Sequence, residues 1–418
     1  MKKYLLLMLI AGASFAANAQ EMDLAADKIP DSLKKNADAV SRLDKTVFQV
    51  YDIDRASYKT REIITVLNQN GRGHLVFQFE GSKFVKLSDV EIKVYDASGK
   101  QINKYKKKDL QTFNIGEGLI DDGIRNYLVI GATSYPVTIE TTMEVDFRGT
   151  LVYPGYRISA PRTAIMESSY TAIVPKTLGL RYRAKNIKLD PIRSDDGKNE
   201  TFVWSTKNVA PLVPEDGSLR TAKSSPQINL APNKFKLDNY EGDMTSWKNY
   251  GKWYADVISG TDNLSESKKS FYKNMVKDVS SDREKVKVIY EYLQKNFRYV
   301  SIQLGIGGQR PLPAEFTDDK KYGDCKGLSN YVHAVLKSLG IRSHLVIINR
   351  SENEDDLDPN FPIEAFNHVI LMAPVAKDSI WMDCTNKTSL FGELDYSTEN
   401  RFAVLVTEQG GVLVKTPE

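Results

Sequence analysis

The side chain best placed for nucleophilic chemistry is Cys325. It stands in Gly323-Asp324-Cys325-Lys326-Gly327, where a polar loop gives way to apolar residues at Leu328, Val332, Val335, Leu336 and Leu339. That spacing puts the thiol at the N-terminus of an amphipathic helix. There the free N–H groups and the macrodipole favour an anion, the condition under which a thiol becomes reactive. The same N–H groups can steady an oxyanion on a substrate. A free cysteine is ordinarily a small buried hydrophobe, so the reading needs a base.

Four histidines are available: His74, His333, His344 and His368. His333 is eight residues along the same helix, roughly 12 Å up its axis, and cannot reach the thiol. His74 belongs to the β-rich front half, and His344, at the start of a strand, reads as structural. His368, in Phe366-Asn367-His368-Val369-Ile370-Leu371-Met372, sits inside an apolar strand on the face of Ile370 and Met372. A buried polar ring needs a hydrogen-bond partner. Asp383, in Ile380-Trp381-Met382-Asp383-Cys384-Thr385, poses the same question on the next strand. A hairpin between the two would set Asp383 beside His368, to orient and charge-stabilise the imidazole. A buried structural His–Asp pair is the alternative. Alternation turns Cys384 to the face opposite Asp383, so no Cys325–Cys384 disulfide is expected.

Two kinds of structure must position these residues. Residues 45–235 are β-rich: Leu75–Phe79, Val90–Tyr95 and Thr138–Val145 are dense in β-branched and aromatic residues. Turn signals such as Asn70-Gly71, Ser98-Gly99 and Pro154-Gly155 separate them. Short strands at this spacing suggest an antiparallel β-sandwich, with residues 20–44 as a separate N-terminal segment. The basic run Lys104–Lys108 reads as a solvated turn or edge strand. Ser224–Asp238, with two prolines and several small or polar residues, reads as a linker. Beyond it the period becomes helical. Trp247, Tyr250, Trp253, Tyr254 and Val257 share a face, and Ser281-x-x-Glu284 forms a capping box before Val286, Ile289, Tyr290, Leu293 and Phe297. A short strand (Tyr299–Ile302), a Gly-Pro-rich loop (Gly305–Pro313), the Cys325 helix stopped by Gly340, and strands at Leu345–Ile348, His368–Met372 and Ile380–Cys384 follow. The fold class is α+β, with the second domain at 240–410.

Composition excludes several functions. The 418 residues carry 57 Lys and Arg against 54 Asp and Glu, so the chain has no electrostatic reason to seek nucleic acid. Two cysteines cannot build a disulfide framework, and four histidines leave little for a zinc site. Gly305-Ile306-Gly307-Gly308 runs into Gln309-Arg310-Pro311 without a P-loop lysine. Glu352–Asp358 lacks the spacing and glycine of an EF-hand, and reads as a solvated loop. Neither a cofactor nor a metal is expected. Lys2-Lys3, the apolar run Tyr4–Ile10 and Ala17-Asn18-Ala19 describe a secretory signal peptide over residues 1–19, cleaved near Ala19. No later stretch is long and apolar enough for a transmembrane segment. The mature protein is expected to be periplasmic or secreted, and its oligomeric state is open.

Gly323-Asp324-Cys325-Lys326 opening a helix, Phe366-Asn367-His368 in one strand and Trp381-Met382-Asp383-x-Thr385 in the next resemble the transglutaminase-like superfamily. Arg298-Tyr299-Val300 and Gly307-Gly308-x-Arg310-Pro311 look like its bacterial exported branch, in which a β-sandwich domain of uncharacterised function precedes the core. The resemblance implies a papain-like transglutaminase core with Cys325 as nucleophile, His368 as general base and acid, and Asp383 as the orienting carboxylate. That branch often carries proline after the acid, where this chain has Cys384. A further β domain commonly follows, whereas this chain stops at Glu418, as a shorter member or a fragment would. Gln303 and Gln309 are both candidates for the oxyanion side chain. The implied activity is acyl transfer from an amide or peptide bond of a protein or peptide substrate, cell-envelope substrates included. Water as acceptor makes it a protease or amidase; an amine makes it a transglutaminase. The rival is a non-catalytic cell-surface module that binds a glycan or protein on the same scaffold.

Overall fold

Residues that alternate between apolar and polar can each bury one face of a sheet. The computed structural model, which describes residues 22–115, 120–132, 134–213, 225–351, 357–376 and 378–418, uses that alternation to build an eight-stranded sheet in the front half. Its spatial order is Ile192–Asp195, Asn199–Val209, Thr163–Pro175, Ala39–Asp52, Arg55–Val66, Val137–Arg148, Val85–Tyr95 and Gln101–Lys106. Neighbours are antiparallel, except that Ala39–Asp52 runs parallel to Thr163–Pro175. Two three-stranded sheets pack against it. Tyr153–Arg157, Gln227–Pro232 and Leu180–Lys185 close over Phe48, Tyr170 and Trp204, while Val76–Gly81, Ile124–Val129 and Gln111–Asn114 bring Phe77, Phe79 and Leu128 onto Ile64, Val66 and Ile92. The basic run begins in the edge strand Gln101–Lys106, where Lys104 pairs with Glu91 at 2.8 Å.

Two expectations change. The sheet begins at Ala39, inside the segment 20–44, and the buried Arg42 guanidinium ties Asp23 and Leu24 to it through their backbone carbonyls. Over its described part, Ser224–Asp238 is no linker: Gln227–Pro232 is a central strand, and Lys234–Leu237 pairs with Tyr240–Asp243. Pro226 precedes that strand and Pro232 ends it, positions where a missing N–H breaks no interior ladder bond. Residues 1–19, read from the sequence as a signal peptide, and most of the acidic stretch (352–356) lie outside the described residues. Among the described residues no helix is long and apolar enough to cross a membrane.

The C-terminal half is a helical layer on a five-stranded antiparallel sheet, ordered Asp378–Met382, His368–Val375, His344–Ile348, Phe402–Thr407 and Gly410–Lys415. Ser246 caps the helix Trp247–Ile258, accepting from Asn249 N–H at 3.1 Å, and Ser281 caps Asp282–Asn296, accepting from Glu284 N–H at 3.2 Å. The helices Glu266–Met275 and Ala314–Lys320 and the terminal hairpin add to what the sequence pattern foretold. The helix Cys325–Ser338 stops at Gly340, whose φ of +76° suits glycine. It lays Leu328, Val332 and Val335 on Val369 and Leu371, while Val346, Ile348, Ile370 and Trp381 cluster apart from that core.

The helix Trp247–Ile258 crosses the terminal hairpin at backbone distance. A Cβ on Gly251 would stand 2.2 Å from Gly411 Cα, and one on Gly411 would stand 2.3 Å from the Trp247 carbonyl oxygen. Gly251→Ala gains up to about 1 kcal/mol of helix propensity, yet it must push two backbones apart. The expected outcome is a net loss of about 1–3 kcal/mol in denaturant unfolding, whereas helix propensity alone would raise stability.

Candidate active site

The Cys325 helix starts where it does because Asp324 is an N-cap. Its backbone is extended (φ −84°, ψ −171°), and its carboxylate accepts from Gly327 N–H at 2.9 Å. The same carboxylate pairs with the Lys326 ammonium, both groups being almost fully buried. Just before them, Tyr322–Gly323 pairs in parallel with Arg298–Tyr299, and Val300 N–H donates to the Gly323 carbonyl at 3.0 Å. The Cys325 side chain is thus fixed from both sides of the cap, at 7% residue exposure, with a free thiol.

His368 is the first residue of its strand, at the end of the sheet where the helix N-terminus arrives. Its Nε2 lies 2.9 Å from Asp383 Oδ2, and Cys325 stands near enough to the ring to influence its titration. Burial alone would lower the imidazole. Its bond to Asp383 and the influence of Asp383 and Cys325 outweigh that and push it up to about 9. Burial would likewise raise Asp383, but His368 and two donors from Thr385 (N–H at 2.9 Å, Oγ1–H at 2.6 Å) hold it well below the usual carboxylate range. The pair therefore stabilises the fold within a pH window. The His368 contribution is complete below its unfolded value near ~6.5 and is lost as pH rises through about 9. The Asp383 contribution is present above ~3.9 and is lost as pH falls through its depressed value.

The hairpin register pairs Leu371 with Met382, so continuing it sets Asp383 opposite Ile370 and diagonal to His368, on one face. Cys384 falls on the other face. It is buried in the helix-side core near Ser329, and burial pushes it far above the ordinary thiol range. The remaining histidines are tied up elsewhere. His333 Nδ1 lies 2.9 Å from Ser343 Oγ and burial pushes its ring down to about 4. His344 Nδ1 lies 3.2 Å from the Val406 carbonyl oxygen, and His74 Nε2 lies 3.1 Å from Thr163 Oγ1.

One neighbour of the site, Arg350, was not singled out by the sequence. Arg350 leans Nη1 to 3.7 Å from Asp383 Oδ2 while Asp395 and Ser397 hold its other nitrogens at 3.2 and 3.0 Å. The only signal was its position, just past the apolar strand that ends at Ile348. Tyr299 stands close enough to Cys325 and Asp324 for burial and their charges to raise its phenol. Neither glutamine is brought to the thiol by a described contact: Gln303 turns its side chain onto Gly308, and Gln309 donates its backbone N–H to Ile306. Arg310, part of the family-like motif, donates to the Val257 and Ser259 carbonyls and so finishes the helix Trp247–Ile258. The Tyr254 hydroxyl is buried without a hydrogen-bond partner, in the field of Cys325, Asp324 and Glu364.

Replacing Asp383 by asparagine keeps the shape but removes the charge that holds the His368 proton. The expected outcome is that the His368 titration, followed by NMR of the ring carbons, drops from about 9 toward the ordinary histidine range.

Residues 269–385 match the transglutaminase-like superfamily, and residues 54–213 match DUF3857, a domain of unknown function with solved structures. No curated protein matches significantly. Among solved structures, the chain is similar to a proposed protease from Parabacteroides distasonis ATCC 8503, with a TM-score of 0.66 at 12% identity, covering 91% of this chain and 72% of that one. A proposed cysteine protease from Cytophaga hutchinsonii aligns with a TM-score of 0.24 at 11% identity, over 87% of this chain and 82% of that one. The first likeness is one of fold. Behind its DUF3857 domain, this chain carries a core that belongs to the transglutaminase-like superfamily.

Proposed function

We propose that this chain is an exported thiol enzyme that cleaves or transfers the acyl group of an amide or peptide bond. Cys325 is the nucleophile, His368 the general base and acid, and Asp383 the carboxylate that orients and charge-stabilises the imidazole. The observation that carries this reading is the buried imidazole bonded to Asp383 at 2.9 Å, with the Cys325 side chain near enough to the ring to raise its titration. Nucleophile, base and orienting group in hydrogen-bond sequence are what acyl transfer needs. The similar fold from Parabacteroides distasonis, named as a proposed protease, supports a peptide substrate, and the basic, apolar and Ala-x-Ala pattern of residues 1–19 supports export.

In this mechanism the Cys325 thiolate attacks the carbonyl carbon while His368 carries the proton. The oxyanion meets the free N–H groups at the helix start. Collapse of the tetrahedral adduct breaks the C–N bond, the imidazolium gives its proton to the departing amine, and a thioester remains. His368, now neutral, takes a proton from the acceptor, and the acceptor displaces the thiol. Water is the default acceptor unless an amine-binding site excludes it, so hydrolysis is the favoured outcome.

Alkylation by iodoacetamide across pH 4–9, read separately at each cysteine by peptide mass spectrometry, tests the reading. Cys325 is expected to label rapidly at neutral pH and Cys384 to stay inert, with the rapid phase lost in His368→Ala. Labelling of Cys325 only in alkali, and no faster than Cys384, sinks the enzyme and favours the binding module. With a peptide substrate in hand, kcat/KM is expected to fall on the alkaline side as His368 loses its proton near 9. Cys325→Ala is expected to lower kcat by at least about 1000-fold.

A further inference from the structure

A cavity that takes no part in the proposed mechanism lies where the β domain meets the core. Its volume is about 1060 Å³, and both domains wall it. From the β domain come Asp44, Glu62 and Arg157; from the core come Phe361 and Ala365, on the loop that leads into His368. Arg183, also on the wall, holds that loop in place. It pairs with Asp358 at 3.0 Å, and its guanidinium lies 5.5 Å from the centre of the Phe361 ring. Arg181 adds a bond to the Pro362 carbonyl at 2.8 Å. The cavity is thus roomy and firmly walled, and domain boundaries are where ligand sites concentrate.

Two charged side chains that line this cavity lack a partner among the described residues. Asp44 and Glu62 stand directly opposite each other on neighbouring antiparallel strands, so their carboxylates share one patch of the sheet. Like charges in that position repel. Asp44 is partly answered by Ser168, whose hydroxyl donates at 3.2 Å. Glu62 has neither a hydrogen bond nor an ion pair among the described residues, and its side chain is open to the cavity. Enclosure by the walls and the Asp44 charge push its carboxyl up to about 7. The second such group has the opposite sign. Arg157 ends the strand Tyr153–Arg157, and its guanidinium has no acceptor among the described residues.

We infer that this cavity binds a short peptide with free termini, its ammonium seated on Asp44 and Glu62 and its carboxylate on Arg157. A simple cation would answer the two acids and leave the arginine, and a simple anion would do the reverse. A zwitterion answers both. Size points the same way: a cube of the cavity's volume measures about 10 Å on a side, the span of an extended tripeptide. The wall suits the rest of a peptide as well. Gln227 and Asn229 offer donors and acceptors to its amide groups, and Ile64, Ile165 and Phe361 give its side chains apolar cover. This site goes beyond the acyl-transfer reading and needs no activity of Cys325, although peptides with free termini are what a peptidase releases.

Isothermal titration calorimetry on the full chain carrying Cys325→Ala, which reads binding without turnover, tests the inference with four probes. They are trialanine with free termini, its N-acetyl form, its C-terminal amide and the doubly blocked peptide. Trialanine is expected to bind about ten-fold or more tightly than either singly blocked form, because each block removes one charge-assisted contact. Adding Glu62→Gln is expected to bring trialanine down to the affinity of the N-acetyl form, whose own affinity stays as it was. Arg157→Gln, at an exposed side chain, is expected to do the same relative to the amide. Glu62→Gln also relieves a like-charge pair, so its Tm is expected to hold or rise, which separates lost binding from lost folding. Equal binding of all four peptides, including none by any, overturns the proposal. A preference for the free ammonium that survives Glu62→Gln also overturns it, and Glu62-dependent binding of calcium chloride alone overturns it in favour of a metal site. Alkylation of Cys325 is a separate measurement, so failure here leaves the thiol-enzyme reading standing.

Discussion

An imidazole and a carboxylate can leave water together only if each lone pair and proton finds a partner, because unpaired buried charge costs several kcal/mol. The His368–Asp383 contact meets that constraint, and much of the core is arranged around it. Asp383 spends one oxygen on His368 and the other on Thr385, and its backbone carbonyl accepts from the buried Tyr290 hydroxyl at 3.1 Å. The same helix sends Gln294 to the carbonyls of Asn386 and Ser389, at 3.1 and 3.0 Å, so the segment beyond the carboxylate cannot drift. From the other helix, Ser329 reaches the Val369 carbonyl at 3.3 Å, next to His368. Cys325 and His368 are therefore registered to each other through a helix and a strand that are bonded directly.

The loop entering the His368 strand is held from a different direction. Trp247 donates its indole N–H to the Pro359 carbonyl at 2.8 Å, Tyr250 bonds Glu364, and the Tyr250 ring stacks on Phe366. Burial pushes the Glu364 carboxyl up to about 7, and the tyrosine hydroxyl is its answer to lost water. The aromatic face of Trp247, Tyr250, Trp253 and Tyr254 lies in the core, and it also anchors the approach to the imidazole. At the helix start the buried Asp324–Lys326 pair plays a comparable part, since the cap that aims Cys325 is itself neutralised by the residue after the thiol.

What the sequence made legible was local in period. The apolar stripe behind Cys325, the serine cap at 281, and two strands that each carried one unexpected polar residue could be read because a helix or hairpin brings those residues together within a few turns. Arg350, Tyr299 and Glu364 come to the site on loops and a two-residue strand, whose course no periodicity encodes. The stretch after Ser224 was misread because prolines at strand ends look like punctuation, and the parallel partner of Ile302 lies in another domain. The same limit hid the parallel pair inside an otherwise antiparallel sheet.

That parallel pair has a consequence for how the chain is made. Ala39–Asp52 sits in the middle of its sheet, with Arg55–Val66 on one side, available at once through a tight turn. Its other side stays open until Thr163–Pro175 arrives. Closing so distant a contact late is slow, and an unpaired central strand invites pairing with other chains. As synthesis or threading proceeds from the N-terminus, the front half remains an incomplete sheet with a sticky seam until residue 175 has emerged. Conditions that delay that emergence should shift the yield toward aggregates before any residue of the thiol core exists.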